Sequence, residues 1–91
     1  MLSSVVFHTV KKPLNVCGPQ VSRFRTQLGW SQPQLATKCQ LKGWDVSRDI
    51  IARIEGQIRW VGDSELAVLA KVLNVRLEKL YPAAIRSALP K

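Results

Sequence analysis

Between residues 30 and 55 the polar side chains are spaced so that directional hydrogen-bonding groups collect on one outward surface. In Val46-Ser47-Arg48-Asp49-Ile50-Ile51-Ala52-Arg53-Ile54-Glu55, Ser47 is placed to cap a helix and Val46 to staple against Ile51. Ile51 and Ile54 then form an inward edge, which turns Arg48, Asp49, Ala52 and Arg53 outward. A guanidinium is a rigid fork of donors and an ionised carboxylate accepts only, so this helix start offers both halves of a directional contact. Upstream, Trp30-Ser31-Gln32-Pro33-Gln34-Leu35 has Ser31 and Gln34 at capping-box spacing, with Trp30 placed to pack on Leu35 and Gln32 left on the solvent-facing first turn. Catalytic chemistry finds no such set. One histidine, His8, and six scattered acids supply no paired carboxylates, no nucleophile beside a base and no metal constellation, so an enzyme is not expected and neither is a cofactor.

Composition bounds what such a surface meets. A chain of 91 residues, 46% hydrophobic, makes one domain with a small core that needs no metal or disulfide staple. Fourteen Lys and Arg against six Asp and Glu give a formal charge of +8, which favours a polyanionic partner. Cys17 and Cys39 lie far apart and in no metal-ligand spacing, which reads as idle thiols in a reducing compartment. The apolar run in residues 1–10 has no basic residue before it and no small-residue cleavage site after it, so it makes a poor signal peptide. No apolar stretch reaches the roughly 18 to 20 residues of a membrane span. A cytoplasmic location without membrane contact is the expectation.

The elements that must hold the polar surface are helical. Residues 1–17 read as an arm in which Ser4-Val5-Val6-Phe7-His8-Thr9-Val10 supplies at most one short strand before Lys11-Lys12-Pro13 interrupts it. Pro19 suits the first turn of a helix whose apolar positions are Val21, Phe24 and Leu28, with Gly29 to end it. A second helix runs from Gln32 to about Lys42, burying Leu35, Ala36 and Cys39, with Gly43 as its stop. The third occupies about 47–56. A fourth begins near Gly62 or Asp63, where Glu65 suits the positive end of the helix dipole, carries Leu66, Leu69, Ala70 and Leu73 on one face, and ends at Asn74 in the left-handed conformation. A fifth spans about Leu77 to Ser87 and buries Leu80, Tyr81 and Ile85 in part, with Pro82 in its first turns or breaking it. The domain therefore covers residues 18–87, with 88–91 as a tail.

The order Phe24-Arg25, Leu28-Gly29-Trp30-Ser31-Gln32, Leu35-Ala36, Val46-Ser47-Arg48, Ile51, Arg53-Ile54-Glu55, Leu66, Leu69-Ala70-Lys71, Leu73, Val75 and Leu80 resembles the Cro/cI-type helix-turn-helix family, also called the Xre family. The likeness spans about Gly18 to Tyr81 and fixes caps, core positions and the linker to a fourth helix together. It implies an all-α, compact five-helix bundle of the lambda-repressor-like type, with the second helix across the DNA backbone and the third in the major groove. It further implies base readout by Ser47, Arg48, Asp49 and Arg53: Arg48 to guanine, Asp49 to cytosine, with Ile50 on a thymine methyl if docking turns it outward. Gln32, Gln57 and Arg59 match the family's phosphate contacts, Lys38 and Lys42 acting at longer range. Arg25 and Glu55 match a structural ion pair. One departure is the distance from Ala36 to Val46, ten residues where about five are usual, which lengthens the turn and leaves Trp44 to plug it. In Glu55-Gly56-Gln57-Ile58-Arg59 the glycine also comes one place early. Trp60 reads as an aromatic capping the core in preference to a base-stacking one, since duplex recognition does not require stacking.

The resulting expectation is a sequence-specific double-stranded DNA-binding transcriptional regulator, a repressor of prokaryotic or phage type. It would act as a homodimer, because one short helix reads only a few base pairs. No small-molecule substrate is evident. The alternative is a protein-interaction module on the same fold, such as an antitoxin or a partner-docking adaptor. The arm either pairs with its copy across the dimer axis or reaches along DNA through Lys11 and Lys12.

Overall fold

The computed structural model describes residues 12–90, and every regular element within them is helical. They are α1 (Gly18–Gln27), α2 (Gln32–Gln40), α3 (Arg48–Glu55), α4 (Asp63–Leu73), a 3-10 turn at Leu77–Leu80, and the short α5 (Ala83–Arg86). The strand expected at Ser4–Val10 lies outside the described residues. One core joins the elements: Val21 from α1, Leu35, Ala36 and Cys39 from α2, Ile51 and Ile54 from α3, Leu69, Ala70 and Leu73 from α4, and Leu80 from the 3-10 turn. Cys17 and Val46 enter it from the connecting segments. Leu28, expected on the inner face of α1, is 44% exposed, because the helix ends one residue earlier and the chain turns away at Gly29.

The four longer helices stop in the same way, and the stops set the angles between them. Each ends in a left-handed residue at its cap or within two places of it: Gly29 (φ 75°), Gly43 (φ 92°), Gln57 (φ 62°) and Asn74 (φ 58°). Each is followed by an apolar residue whose N–H reaches back five places: Trp30 to the Arg25 carbonyl at 3.1 Å, Trp44 to Cys39 at 3.1 Å, Ile58 to Arg53 at 3.0 Å and Val75 to Ala70 at 3.0 Å. This is the Schellman arrangement, which satisfies helix-end carbonyls and turns an apolar side chain back toward the bundle. Trp30, Trp44 and Val75 do pack against the core. Ile58 is 65% exposed instead.

The expected fifth helix is divided. Pro82 has no N–H to donate and takes an extended ψ of 151°, so the chain forms the 3-10 turn before it and α5 after it. Leu80 is fully buried and Tyr81 half-buried, while Ile85 is exposed.

Residues 14–17, read from sequence as the last of the arm, are built into the domain. The Leu14 N–H donates to the Gln57 carbonyl at 2.9 Å. The Asn15 amide donates to the carbonyls of Ile54 (3.0 Å) and Arg59 (2.9 Å), and its oxygen accepts from the Gly18 N–H at 2.8 Å. Gly18 is needed there by contact, since a Cβ on it would strike the Ile54 carbonyl oxygen and sit 2.9 Å from that of Glu55. The N-terminus of α1 thus abuts the C-terminus of α3, positive helix end to negative.

Gly18→Ala should therefore destabilise the domain by about 1–3 kcal/mol through forced backbone displacement. Gly43→Ala, where nothing obstructs a Cβ and only the left-handed φ is strained, should cost about 1 kcal/mol. Urea unfolding midpoints of the two variants check the order, and equal losses would refute the close-approach account.

Candidate nucleic-acid interface

α3 is short, capped and two-faced. Ser47 accepts from the Ile50 N–H at 3.2 Å, and Ile51 and Ile54 are fully buried. The opposite side presents Arg48 and Asp49, whose side chains are 60% and 75% exposed and lie 3.2 Å apart. An ion pair that open to water is worth little, so either group can change partner at small cost. Arg53 is exposed, and no carboxylate pairs with it among the described residues. Ile50 and Ala52 are half-buried rather than outward, and Ile50 packs against the core, which removes it from the set facing solvent.

The orientation of α3 is set by a clamp at its C-terminal end. Arg25 Nε donates to Glu55 Oε2 at 2.7 Å, Nη2 to Glu55 Oε1 at 3.0 Å, and Nη1 to the Trp30 carbonyl at 2.7 Å. Both side chains are largely buried, and the bond to Glu55 raises the Arg25 pKa above its ordinary value, against the opposing effect of burial. Gln32 joins this group, donating Nε2 to Glu55 Oε1 at 3.0 Å. The residue expected on a solvent-facing turn is thus half-buried and committed to the clamp.

At the start of α2 the capping box is formed, Gln34 N–H to Ser31 Oγ at 3.2 Å and Ser31 N–H to Gln34 Oε1 at 2.7 Å. Pro33 has no N–H and that of Gln34 is used, so among the first three residues of the helix the Gln32 N–H alone points outward for an anion. Lys38 lies with Nζ 4.6 Å from the centre of the Trp30 ring, and Lys42 is exposed in the turn.

The loop after α3 is bound inward. Gln57, not Gly56, takes the left-handed conformation, and its side chain donates to the Asn15 carbonyl at 2.8 Å. Arg59 forks onto Glu65 of α4, Nη1 to Oε1 at 2.9 Å and Nη2 to Oε2 at 3.2 Å. Glu65 Oε1 also accepts from the Gly62 N–H at 3.0 Å. The bond from Arg59 holds the Glu65 carboxyl below its ordinary pKa, and the same bond raises that of Arg59. Neither Gln57 nor Arg59 presents an uncommitted side chain. Trp60 is 71% exposed and does not cap the core, because the Gly62 N–H bond to Glu65 starts α4 just after it and leaves the ring on the outer side of the loop.

One residue central to this geometry was not singled out from the sequence: Asn15, three places before Gly18, has the spacing of a side-chain cap on α1. Glu65, expected only to suit the helix dipole, is also the returning half of a capping box on Gly62. Burial pushes both thiols up to about 11, so Cys17 and Cys39 are protonated near neutrality and supply no nucleophile. No helix among the described residues is long and apolar enough to cross a membrane. Comparison of the chain with protein-family models, with curated proteins and with solved structures finds no match.

Arg25→Ala should cost on the order of 3 kcal/mol, because it leaves the buried Glu55 carboxylate without its counter-charge. Chemical denaturation measures the loss, and the Ile54 and Glu55 amides should exchange faster with solvent. Glu65 supplies an acid-range signature. Its depressed pKa means that the Arg59 pair stabilises fully above the ordinary value of 4.5 and loses that contribution as pH falls through the lower folded-state value. The stability of Glu65→Gln should accordingly fall less steeply than wild type below pH 4.5, which urea midpoints across that range test.

Proposed function

We propose that the chain is a sequence-specific duplex-DNA-binding regulator, a repressor that acts as a homodimer, with α2 and α3 as a helix-turn-helix. α2 lies across the phosphate backbone and α3 enters the major groove. The observation that carries this reading is the construction of α3: a buried edge and a buried clamp hold it, while on its outer face Arg48 and Asp49 meet only each other in an exposed pair and Arg53 meets no carboxylate among the described residues. Arg48 suits the O6 and N7 acceptors of guanine, and Asp49 the N4 donor of cytosine. The net charge of +8 supplies the nonspecific attraction.

Phosphate contacts take a different form from the one the sequence implies. The Gln32 side chain, Gln57 and Arg59 serve the fold, which leaves the Gln32 main-chain N–H as an anion donor and Arg53 and Lys42 as the uncommitted cations of α3 and the preceding turn. Dimerisation supplies the second half-site, since one eight-residue helix spans too few base pairs for useful specificity.

A second reading rests on Ile58 and Trp60, two places apart and 65% and 71% exposed on one loop. They suit a partner-docking adaptor or antitoxin, in which this loop is the contact. Salt separates the two. Binding to DNA weakens steeply as salt rises, and an apolar contact is nearly indifferent to it. Selection of bound duplexes from a random pool is the direct test: an enriched palindrome supports the regulator, and no enrichment with salt-insensitive capture of a protein supports the adaptor.

Arg48→Ala should cost roughly 1–3 kcal/mol on the enriched site and leave random-sequence binding almost unchanged. Equal losses on both duplexes would confine Arg48 to the backbone.

A further inference from the structure

A second group of cations lines a hollow of about 410 Å³ to which α3 contributes no residue. Its walls are Arg23 of α1, Arg76 after α4, Lys79 of the 3-10 turn and Arg86 of α5, and Phe24 and Val75 form its apolar base against the core. Arg23 is held in place, with its guanidinium 4.5 Å from the centre of the Phe24 ring and its Nε donating to Gln20 Oε1 at 3.0 Å. Arg76 meets Glu78 at 3.2 Å in an exposed pair. Lys79 and Arg86 pair with no carboxylate among the described residues. Four cations therefore surround one hollow with a single carboxylate among them. Such crowding raises the potential inside the hollow and is relieved by an anion. The volume falls within the roughly 300–1,000 Å³ of small-molecule sites. Three of the four cations are arginines, whose planar forks match the oxygens of a phosphoryl group two at a time.

We propose that this hollow binds a free di- or oligophosphate anion, with Arg76, Lys79 and Arg86 on its oxygens and Arg23 closing one side. The site is separate from the face of α3, and the proposal stands whether or not the chain binds DNA.

The test is a titration of the full, isotopically labelled chain with inorganic pyrophosphate at constant ionic strength, followed by amide chemical shifts. Saturable shifts are expected at Arg23, Phe24, Val75, Arg76, Lys79 and Arg86. The double variant Arg76→Gln, Lys79→Gln, altered only at exposed positions, should bind roughly tenfold more weakly through loss of charge-assisted bonds. Lys12→Gln, which removes one charge outside the lining, should bind as wild type does. Shifts that rise without saturating, that sulfate reproduces at equal concentration, or that fall equally on the cations of α3 would overturn the proposal. So would a double variant of unchanged affinity. A duplex arm separates the other source of phosphate: if pyrophosphate does not saturate while the double variant lowers the salt slope of duplex binding by about two, the surface is a track for nucleic-acid backbone and the proposal fails.

Discussion

Everything on the outer face of α3 depends on a charge pair at its far end. Arg25 is asked for three bonds at once, two to Glu55 and one to the Trp30 carbonyl, and Glu55 accepts a further one from Gln32. Four segments meet there: α1, the turn after it, the first residue of α2 and the last of α3. A buried pair of this kind adds modest net stability, since desolvation offsets most of the attraction. Its larger effect is geometric. A planar fork on a carboxylate tolerates little rotation, so the azimuth of α3 and the height of its first turn follow from bonds made at its last residue. Asn15 and Gly18 close the same corner from the other side, tying the entry of the chain to the carbonyls of Ile54 and Arg59.

What was legible in the sequence was local. Ser31 with Gln34, Ser47, Gly29, Gly43 and Asn74 act through bonds within a few residues, so their spacing announces their role, and each stands where the pattern puts it. Helix identity and the apolar faces of α2 and α4 follow from the same short-range periodicity. Several of the failures are questions of which partner a polar side chain takes. Gln32 and Arg59 are polar residues at helix margins, and spacing alone does not say whether such a residue looks outward or turns to a carboxylate, which Gln32 finds across the bundle at Glu55 and Arg59 six places on at Glu65. The left-handed position after α3 fell to Gln57 because it is set by where α3 runs out of core, and that point depends on α1. Trp60 is expected inward because duplex recognition needs no stacking aromatic, yet the absence of one role does not supply the other, and the ring stands exposed.

The distribution of charge divides into two populations. Arg25 and Arg59 are bidentate on carboxylates and half-buried, and they act as cross-links. Arg48, Arg53, Lys42, Lys79 and Arg86 are held by no bond to a buried acceptor, so the +8 excess is concentrated in groups free to meet an anion. Formal charge counts both populations alike. Only the second is open to a new partner, and the five named here fall on two separate parts of the bundle.

The segment from Leu41 to Ser47 closes on itself. Trp44 and Gly43 donate to the carbonyls of Cys39 and Gln40, the Gln40 side chain holds the Val46 carbonyl at 2.8 Å, and Leu41 at the apex is 80% exposed. Because the anchors are Gly43-Trp44 on one side and Val46-Ser47 on the other, only the exposed Asp45 between them carries no part of the fold's support. Each doubling of a flexible loop's length costs only about 0.6 kcal/mol in closure entropy. An insertion at Asp45 is therefore cheap for folding while it changes the spacing between two helices, whereas a deletion that reaches Trp44 or Val46 removes part of the core. At that one position the chain can lengthen and change the angle between α2 and α3 without first losing its stability.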